Sequence, residues 1–150
     1  AIAMAMEVLD QANTTLQNRF SPALGRRAAE IFRAMTADRY GSVTLDRSLH
    51  LTAETTTDGL YRDASLLSAG TVDQLYLAVR LAAAKLVQTE GEQMPLIFDD
   101  SFALYDDERL KTALKWLSKT FKGQIILFTC HQREAQLLTA NQVDFHYLTL

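Results

Sequence analysis

The sequence has one cysteine, two prolines and six glycines in 150 residues. With Cys130 alone, no internal disulfide framework can form, and a reducing compartment fits the chain. No glycine precedes a lysine: Gly25, Gly41, Gly59, Gly70, Gly91 and Gly123 are followed by Arg, Ser, Leu, Thr, Glu and Gln. A phosphate-gripping loop of the form GxxxxGK[ST] is therefore absent. No apolar run approaches the roughly 20 residues that span a bilayer. A net charge of only −3 speaks against strong overall attraction to nucleic acid and leaves room for a local basic patch. The opening "AIAMAMEVLD" carries neither a basic stretch nor a cleavage site, so no signal peptide is expected, and it reads as a chain entering mid-helix. Internal repeats, low-complexity segments and a clear linker are missing too.

What is present is enough for one domain with a real core. Met4, Val8, Leu9, Ala12 and Leu16 recur at helical spacing and predict a helix over 3–18. "FSPAL" interrupts the pattern: Ser21 suits an N-cap and Pro22 a first helical residue, which predicts a second helix to about Met35 with Leu24, Ala28, Ile31, Phe32 and Met35 on one face. Asp38 to Gly41 reads as a turn. Val43 and Leu45, then Leu49 and Leu51, alternate with polar residues as in a half-exposed hairpin. "TTDGLYRDAS" reads as a polar loop. Further on come a helix at about 71–90, a strand at 95–99, a helix at about 106–121, a strand at 124–129, a short helix at about 131–141 and a last strand at 145–149. Alternating strands and helices predict an α/β fold with a mainly parallel sheet flanked by helices, preceded by the N-terminal helical segment and the β-hairpin.

Chemistry concentrates at the ends of two strands. "PLIFDD" runs from apolar residues into Asp99 and Asp100, and "ILFTCH" runs into Thr129, Cys130 and His131. Open α/β sheets bind ligands beyond the carboxyl ends of their strands. A carboxylate there can hold Mg²⁺ and its waters, a second can polarise an attacking water, and a histidine can contact a phosphate oxygen. That equipment suits phosphoryl transfer, in which positioning and charge neutralisation outweigh covalent chemistry. A third feature is "LLSAGTVDQ". Thr71 and Gln74 have the spacing of a capping box, so Ser68, Ala69 and Gly70 lie just ahead of a helix N-terminus, a natural anion site. Gly70 would let a ligand approach the backbone.

"LSAGT" resembles the signature motif of ABC-type ATPases, "PLIFDD" their Walker B strand, "ALYDDE" their D-loop and "ILFTCH" their switch-histidine strand. Their order and spacing resemble the C-terminal half of an SMC-type or SbcC-type ATPase head, closest to the YhaN-like branch of bacterial AAA/SMC-like ATPases. Each motif alone is weak; the four in order, over about residues 20–150, are specific. The resemblance implies a single domain, with residues 1–20 as the end of a coiled-coil arm and 21–150 as the C-terminal lobe lacking Walker A. It implies ATP and Mg²⁺ as cofactors. By the same token Ser68, Ala69 and Gly70 would face the γ-phosphate of a nucleotide held by a second head, Asp99 would support Mg²⁺, Asp100 would act on the attacking water, Asp106 would be the D-loop acid and His131 would reach the γ-phosphate. The partners implied are an N-terminal Walker A lobe of the same protein and a second head, in the cytoplasm, with DNA and a nuclease subunit left open. DNA repair or chromosome maintenance follows from analogy alone. Asp100 stands where most of the wider family has Glu, and Ala69 where Gly is common.

Blander readings compete. A lone acid at a strand end is usually a turn, and a lone histidine a capping or surface residue. A receiver-type phospho-acceptor would need its acid pair near the N-terminus and a third aspartate on a later strand, and this chain has neither. Cys130 and His131, as strand neighbours, are expected on opposite faces, which predicts a packed thiol. The apolar residues of helix 71–90 lie nearly all round it, as in a helix buried under a sheet. Arg26, Arg27, Arg33 and Arg39 are expected as a solvated face. The rival function is a non-catalytic interaction or DNA-tethering module with a degenerate ATPase site.

Overall fold

The computed structural model describes residues 2–46, 50–88 and 94–149. In chain order the elements are α1 (Ile2–Met35), β1 (Tyr40–Leu45), β2 (Leu51–Thr55), β3 (Tyr61–Asp63), a 3₁₀ turn (Ala64–Leu66), α2 (Ala69–Val87), β4 (Leu96–Asp99), α3 (Asp107–Thr120), β5 (Ile125–Phe128) and α4 (Arg133–Ala140). From α2 to α4 the alternation of helix and strand is as the sequence predicts. Leu49 and Glu90, and the side chain of Leu16, lie outside the described residues.

Several expectations fail for physical reasons. The helix does not break at Ser21; α1 runs through with Pro22 inside it. Proline removes one intrahelical hydrogen bond and crowds the preceding turn. Pro22 is exposed, and the rest of the helix beyond it buries Leu24, Ala28, Ile31, Phe32 and Met35, which offsets that cost. The turn falls at 36–39, where Ala37 and Asp38 take positive φ of 51° and 61°, and Tyr40 already belongs to β1. Its ring stacks on Phe32 at 4.9 Å. The "polar loop" contains β3, which pairs antiparallel with β2 and extends the hairpin to three strands in the order β1-β2-β3. At the β2–β3 turn Arg62 clasps Asp58 and holds its carboxyl down at about 2.

The sheet is not mainly parallel among the described residues. It comprises this antiparallel unit and a separate parallel pair, β4-β5, in register from Leu96↔Ile125 to Asp99↔Phe128. Residues 145–149 form no strand.

The core lies between α1, α2 and the antiparallel sheet, and continues to α3. Helix α2 is not buried all round: Leu75, Leu77, Ala78, Leu81 and Ala82 are buried, whereas Tyr76, Leu86 and Val87 are exposed. It packs chiefly on α1 rather than under a sheet. Arg26, Arg27, Arg33 and Arg39 are exposed, as expected. Ile2, Met4, Met6, Val8 and Leu9, at the start of α1, are exposed as well.

The β4-β5 pair has one covered face and one open one. Phe98 is buried and Leu96 and Leu127 pack on the core, while Ile97 is 63% exposed and Phe128 45%. Parallel strands are normally covered on both faces. "PLIF" therefore does not lie in a fully buried strand here; half of its apolar residues look outward.

Candidate functional site

The sequence-derived residues collect into two clusters. At the first, α2 begins one turn earlier than the capping-box reading places it. Ser68, not Thr71, is the N-cap, and the N–H groups of Thr71 and Val72 donate to its carbonyl at 2.8 and 2.9 Å. The Ser68 hydroxyl shares a 2.8 Å hydrogen bond with that of Thr71. Gln74 caps nothing: buried, it donates through Nε2 to the Met35 carbonyl at 3.0 Å and ties α2 to the end of α1. Ser68 and Ala69 are exposed and Gly70 is buried.

Gly70 is needed for a reason that the sequence reading did not foresee. A Cβ there would stand 2.8 Å from the Leu104 carbonyl oxygen, so the close approach is made by the 101–106 loop. That loop ends at Asp106, the N-cap of α3, whose carboxylate accepts from the Arg109 N–H at 2.9 Å and pairs with its guanidinium at 2.5 Å. The backbone hydrogen bond first, and the guanidinium charge after it, hold the Asp106 carboxyl below the usual aspartate range. Arg109 also reaches Thr71 Oγ1 at 3.4 Å and Ser68 Oγ at 3.5 Å. Ser68, Ala69, Gly70 and Asp106 are thus brought together, with Arg109 between them.

The second cluster stands at the carboxyl ends of β4 and β5. Parallel pairing sets Asp99 opposite Phe128, and the Asp100 N–H donates to the Phe128 carbonyl at 2.9 Å. Asp100 then takes φ +47°, a left-handed backbone that aspartate tolerates better than most residues. Both acids are exposed. The Asp99 carboxylate has no hydrogen bond or ion pair among the described residues, so its oxygens are open to a hard cation. Cys130 is exposed, not packed: the strand stops at Phe128, so strand alternation no longer governs residues 129–131. Its thiol lies 3.8 and 3.9 Å from the two Asp100 oxygens. One ligand atom each from Asp100, Cys130 and His131 fall within 4.8 Å of one another. The His131 N–H donates to Thr129 Oγ1 at 3.0 Å, which fixes the backbone of the turn.

The two clusters share no direct hydrogen bond among the described residues; the loop between them is built by packing and by Arg133. Phe98, Phe102 and Tyr105 form a run of ring contacts at 5.4 and 5.3 Å. Arg133, half-buried on α4, donates to the carbonyls of Phe102 and Tyr105, each at 2.7 Å. Behind it Glu134 is buried and accepts from Arg133 Nε at 3.4 Å and Thr129 Oγ1 at 3.3 Å. The Tyr105 hydroxyl is buried without a partner among the described residues, and burial pushes it well above the usual phenol range. Sequence reasoning missed Arg109 and Arg133. The i,i+3 spacing of Asp106 and Arg109 could have flagged the first; nothing in the local sequence marks the second, whose partners are backbone carbonyls about 30 residues away.

Comparison with known proteins bears out the resemblance. The chain has the α/β fold of SMC ATPase head segments. It superposes with a TM-score of 0.66 and 19% identity, over 83% of this chain and 76% of the other, on a structure described under ATP-driven dimerization and DNA stimulated activation of SMC ATPases. An Smc head domain with an extended coiled coil from Pyrococcus furiosus, bound to the C-terminal domain of ScpA, matches with a TM-score of 0.62 and 18% identity, over 88% of this chain and 35% of that one.

In sequence the chain is similar to the uncharacterized protein YhaN of Bacillus subtilis, 36% identical over 124 residues, or 81% of this chain. It spans 13% of the length of that relative. No protein-family model matches it. No helix among the described residues is long and apolar enough to cross a membrane.

Proposed function

We propose that the chain is the C-terminal lobe of an SMC-like ATPase, acting at a head–head interface in DNA repair or chromosome maintenance in the cytoplasm. The observation that carries this reading is the division of the site. Ser68, Ala69, Gly70, Asp106 and Arg109 make one cluster, and Asp99, Asp100 and His131 make another. That division suits a dimer in which each head completes the nucleotide site of the other. Ser68 and the open end of α2 face the partner head's γ-phosphate. Asp99 supplies an oxygen ligand to Mg²⁺, which would neutralise phosphate charge when bound. Asp100 orients and deprotonates the attacking water, and His131 contacts the γ-phosphate.

The oxygen donors at the β4 end fit a magnesium ion. The phosphate grip is absent from this chain, as there is no Gly-Lys pair. The open apolar face of β4-β5, with Ile97 and Phe128 outward, suits coverage by the N-terminal Walker A lobe of the same protein. The exposed apolar start of α1 suits the returning end of a coiled-coil arm over 1–20. On this reading the lobe hydrolyses ATP only when joined to its Walker A half, and DNA and a nuclease subunit are further partners in kind.

The test is turnover of the chain rejoined to its N-terminal lobe. Asp100→Asn should lower hydrolysis by more than about tenfold, within the range of a positioned general base, while ATP-driven dimers persist. Undiminished turnover would remove Asp100 from the chemistry.

A further inference from the structure

Cys130 plays no part in the proposed hydrolysis, yet it is the thiol closest to its acid. Its sulfur stands 3.8 Å from one Asp100 oxygen and 3.9 Å from the other. His131 completes a trio whose ligand atoms all lie within 4.8 Å of one another. We propose that Asp100, Cys130 and His131 form a binding site for a thiophilic divalent cation, Zn²⁺, with a fourth position open to water.

The geometry is close to what such an ion needs. With Zn–S about 2.3 Å and Zn–O about 2.1 Å, a tetrahedral angle sets sulfur and oxygen about 3.6 Å apart. The observed 3.8 Å requires only a small side-chain adjustment. The imidazole must swing inward, and it is exposed and free to do so. The three ligands arise from two strand ends that parallel pairing locks together: Asp100 donates its N–H to the Phe128 carbonyl at 2.9 Å, two residues before Cys130. The backbone of the turn is held by the His131 N–H on Thr129 Oγ1 at 3.0 Å. Only the side chains remain to be ordered, which keeps the entropic cost of binding low.

The donor set also selects the metal. Thiolate and imidazole are poor ligands for Mg²⁺, which takes oxygen donors and keeps its waters. The same pair is preferred by zinc, and binding releases the thiol proton to solvent. Asp99, one residue away and without a partner among the described residues, remains the oxygen-only position. Hard and soft cations would thus sort between neighbouring acids. Zinc at the trio would also withdraw Asp100 and His131 from any other role. The site itself does not depend on the ATPase reading, because the trio can be titrated in the chain as it stands.

The test uses the 150-residue chain with Co²⁺ as a spectroscopic probe and Zn²⁺ by calorimetry. Because Cys130 is the single cysteine, a thiolate-to-cobalt charge-transfer band can arise only there. One-to-one binding with such a band is expected, and a large excess of Mg²⁺ should not displace it. Cys130→Ser should abolish the band. Asp100→Asn and His131→Gln should each weaken Zn²⁺ binding by more than about tenfold, the loss typical when only a ligand's supporting partner is removed. His50→Gln and His146→Gln should leave it unchanged. In the unmodified chain, Zn²⁺ should protect Cys130 from alkylation, a measurement that stands even if a variant fails to fold. The proposal is overturned by absence of the band, by unprotected alkylation at saturating zinc, by displacement with equimolar Mg²⁺, or by binding that follows His50 or His146.

Discussion

The Arg109 guanidinium lies 2.5 Å from the Asp106 carboxylate and 3.5 Å from the Ser68 hydroxyl, joining the end of the 101–106 loop to the start of α2. The pair is partly solvated, with the arginine side chain 26% exposed and the aspartate 57%. Its net contribution to stability is therefore small, about 0–1 kcal/mol. Its contribution to geometry is larger, because among the described residues no other side chain holds Ser68 and Asp106 at once. Arg109→Ala should leave the melting temperature of the chain nearly unchanged. In the rejoined head it should weaken ATP-dependent dimerisation, read by light scattering. Wild-type dimerisation in the variant would show that Arg109 does not position the signature loop.

Ser68→Arg sets a bulky cation at the exposed N-cap of α2. It should abolish ATP-driven dimers of the rejoined head yet preserve circular dichroism and nucleotide binding by the Walker A lobe. Dimers that survive the substitution would refute the assignment of Ser68 to the partner's γ-phosphate.

Gly70→Ala tests packing rather than chemistry. The added methyl would meet the Leu104 carbonyl at 2.8 Å, and backbone cannot step aside as a flexible side chain could. Overpacking of this kind costs about 1–3 kcal/mol. Urea unfolding should show a lower midpoint with an unchanged slope. An unaltered midpoint would mean that the 101–106 loop does not rest on α2 in solution.

The Asp106 cap carries a pH dependence of definite sign. Its folded carboxyl titrates below the ordinary 3.8, because it accepts the Arg109 N–H and faces the guanidinium. A depressed acid contributes its stability above the unfolded value and loses it as pH falls through the folded one. Hydrogen exchange at the α3 N-terminus, corrected for intrinsic rates, should stay constant from neutral pH to about 4 and rise only below it. Asp106→Asn should remove that dependence while retaining part of the cap. Fraying that begins near neutrality would contradict the arrangement.

The chain by itself should bind Mg-ATP weakly and hydrolyse none. Two or three charge-assisted phosphate hydrogen bonds, roughly 1.5–3 kcal/mol each, barely offset the 4 kcal/mol or more of association entropy. Titration calorimetry should therefore show at most millimolar affinity. A micromolar constant would reveal a complete nucleotide site within the chain and remove the half-head reading.

What the sequence determined by itself is local. Apolar runs that end in "DD" and "TCH" mark β4 and β5, because a short continuous apolar run closed by polar residues is itself a strand signal. The helices expected at about 71–90, 106–121 and 131–141 stand at 69–87, 107–120 and 133–140, so their existence, if not their ends, was legible, and the missing Gly-Lys pair is a fact of the sequence. Tertiary structure alone decided the rest, wherever the deciding partner is distant in sequence. Pro22 looks like a helix start until the burial of Phe32 and Met35 holds α1 straight through it. Gln74 looks like a cap until the Met35 carbonyl claims it. Gly70 looks like a ligand contact until Leu104 fills the space above it. Cys130 looks packed until β5 ends two residues before it and leaves its thiol beside Asp100. For Pro22 and Gln74 a short-range capping preference worth about 1 kcal/mol yields to the packing or hydrogen bonding of a group brought near only by the fold.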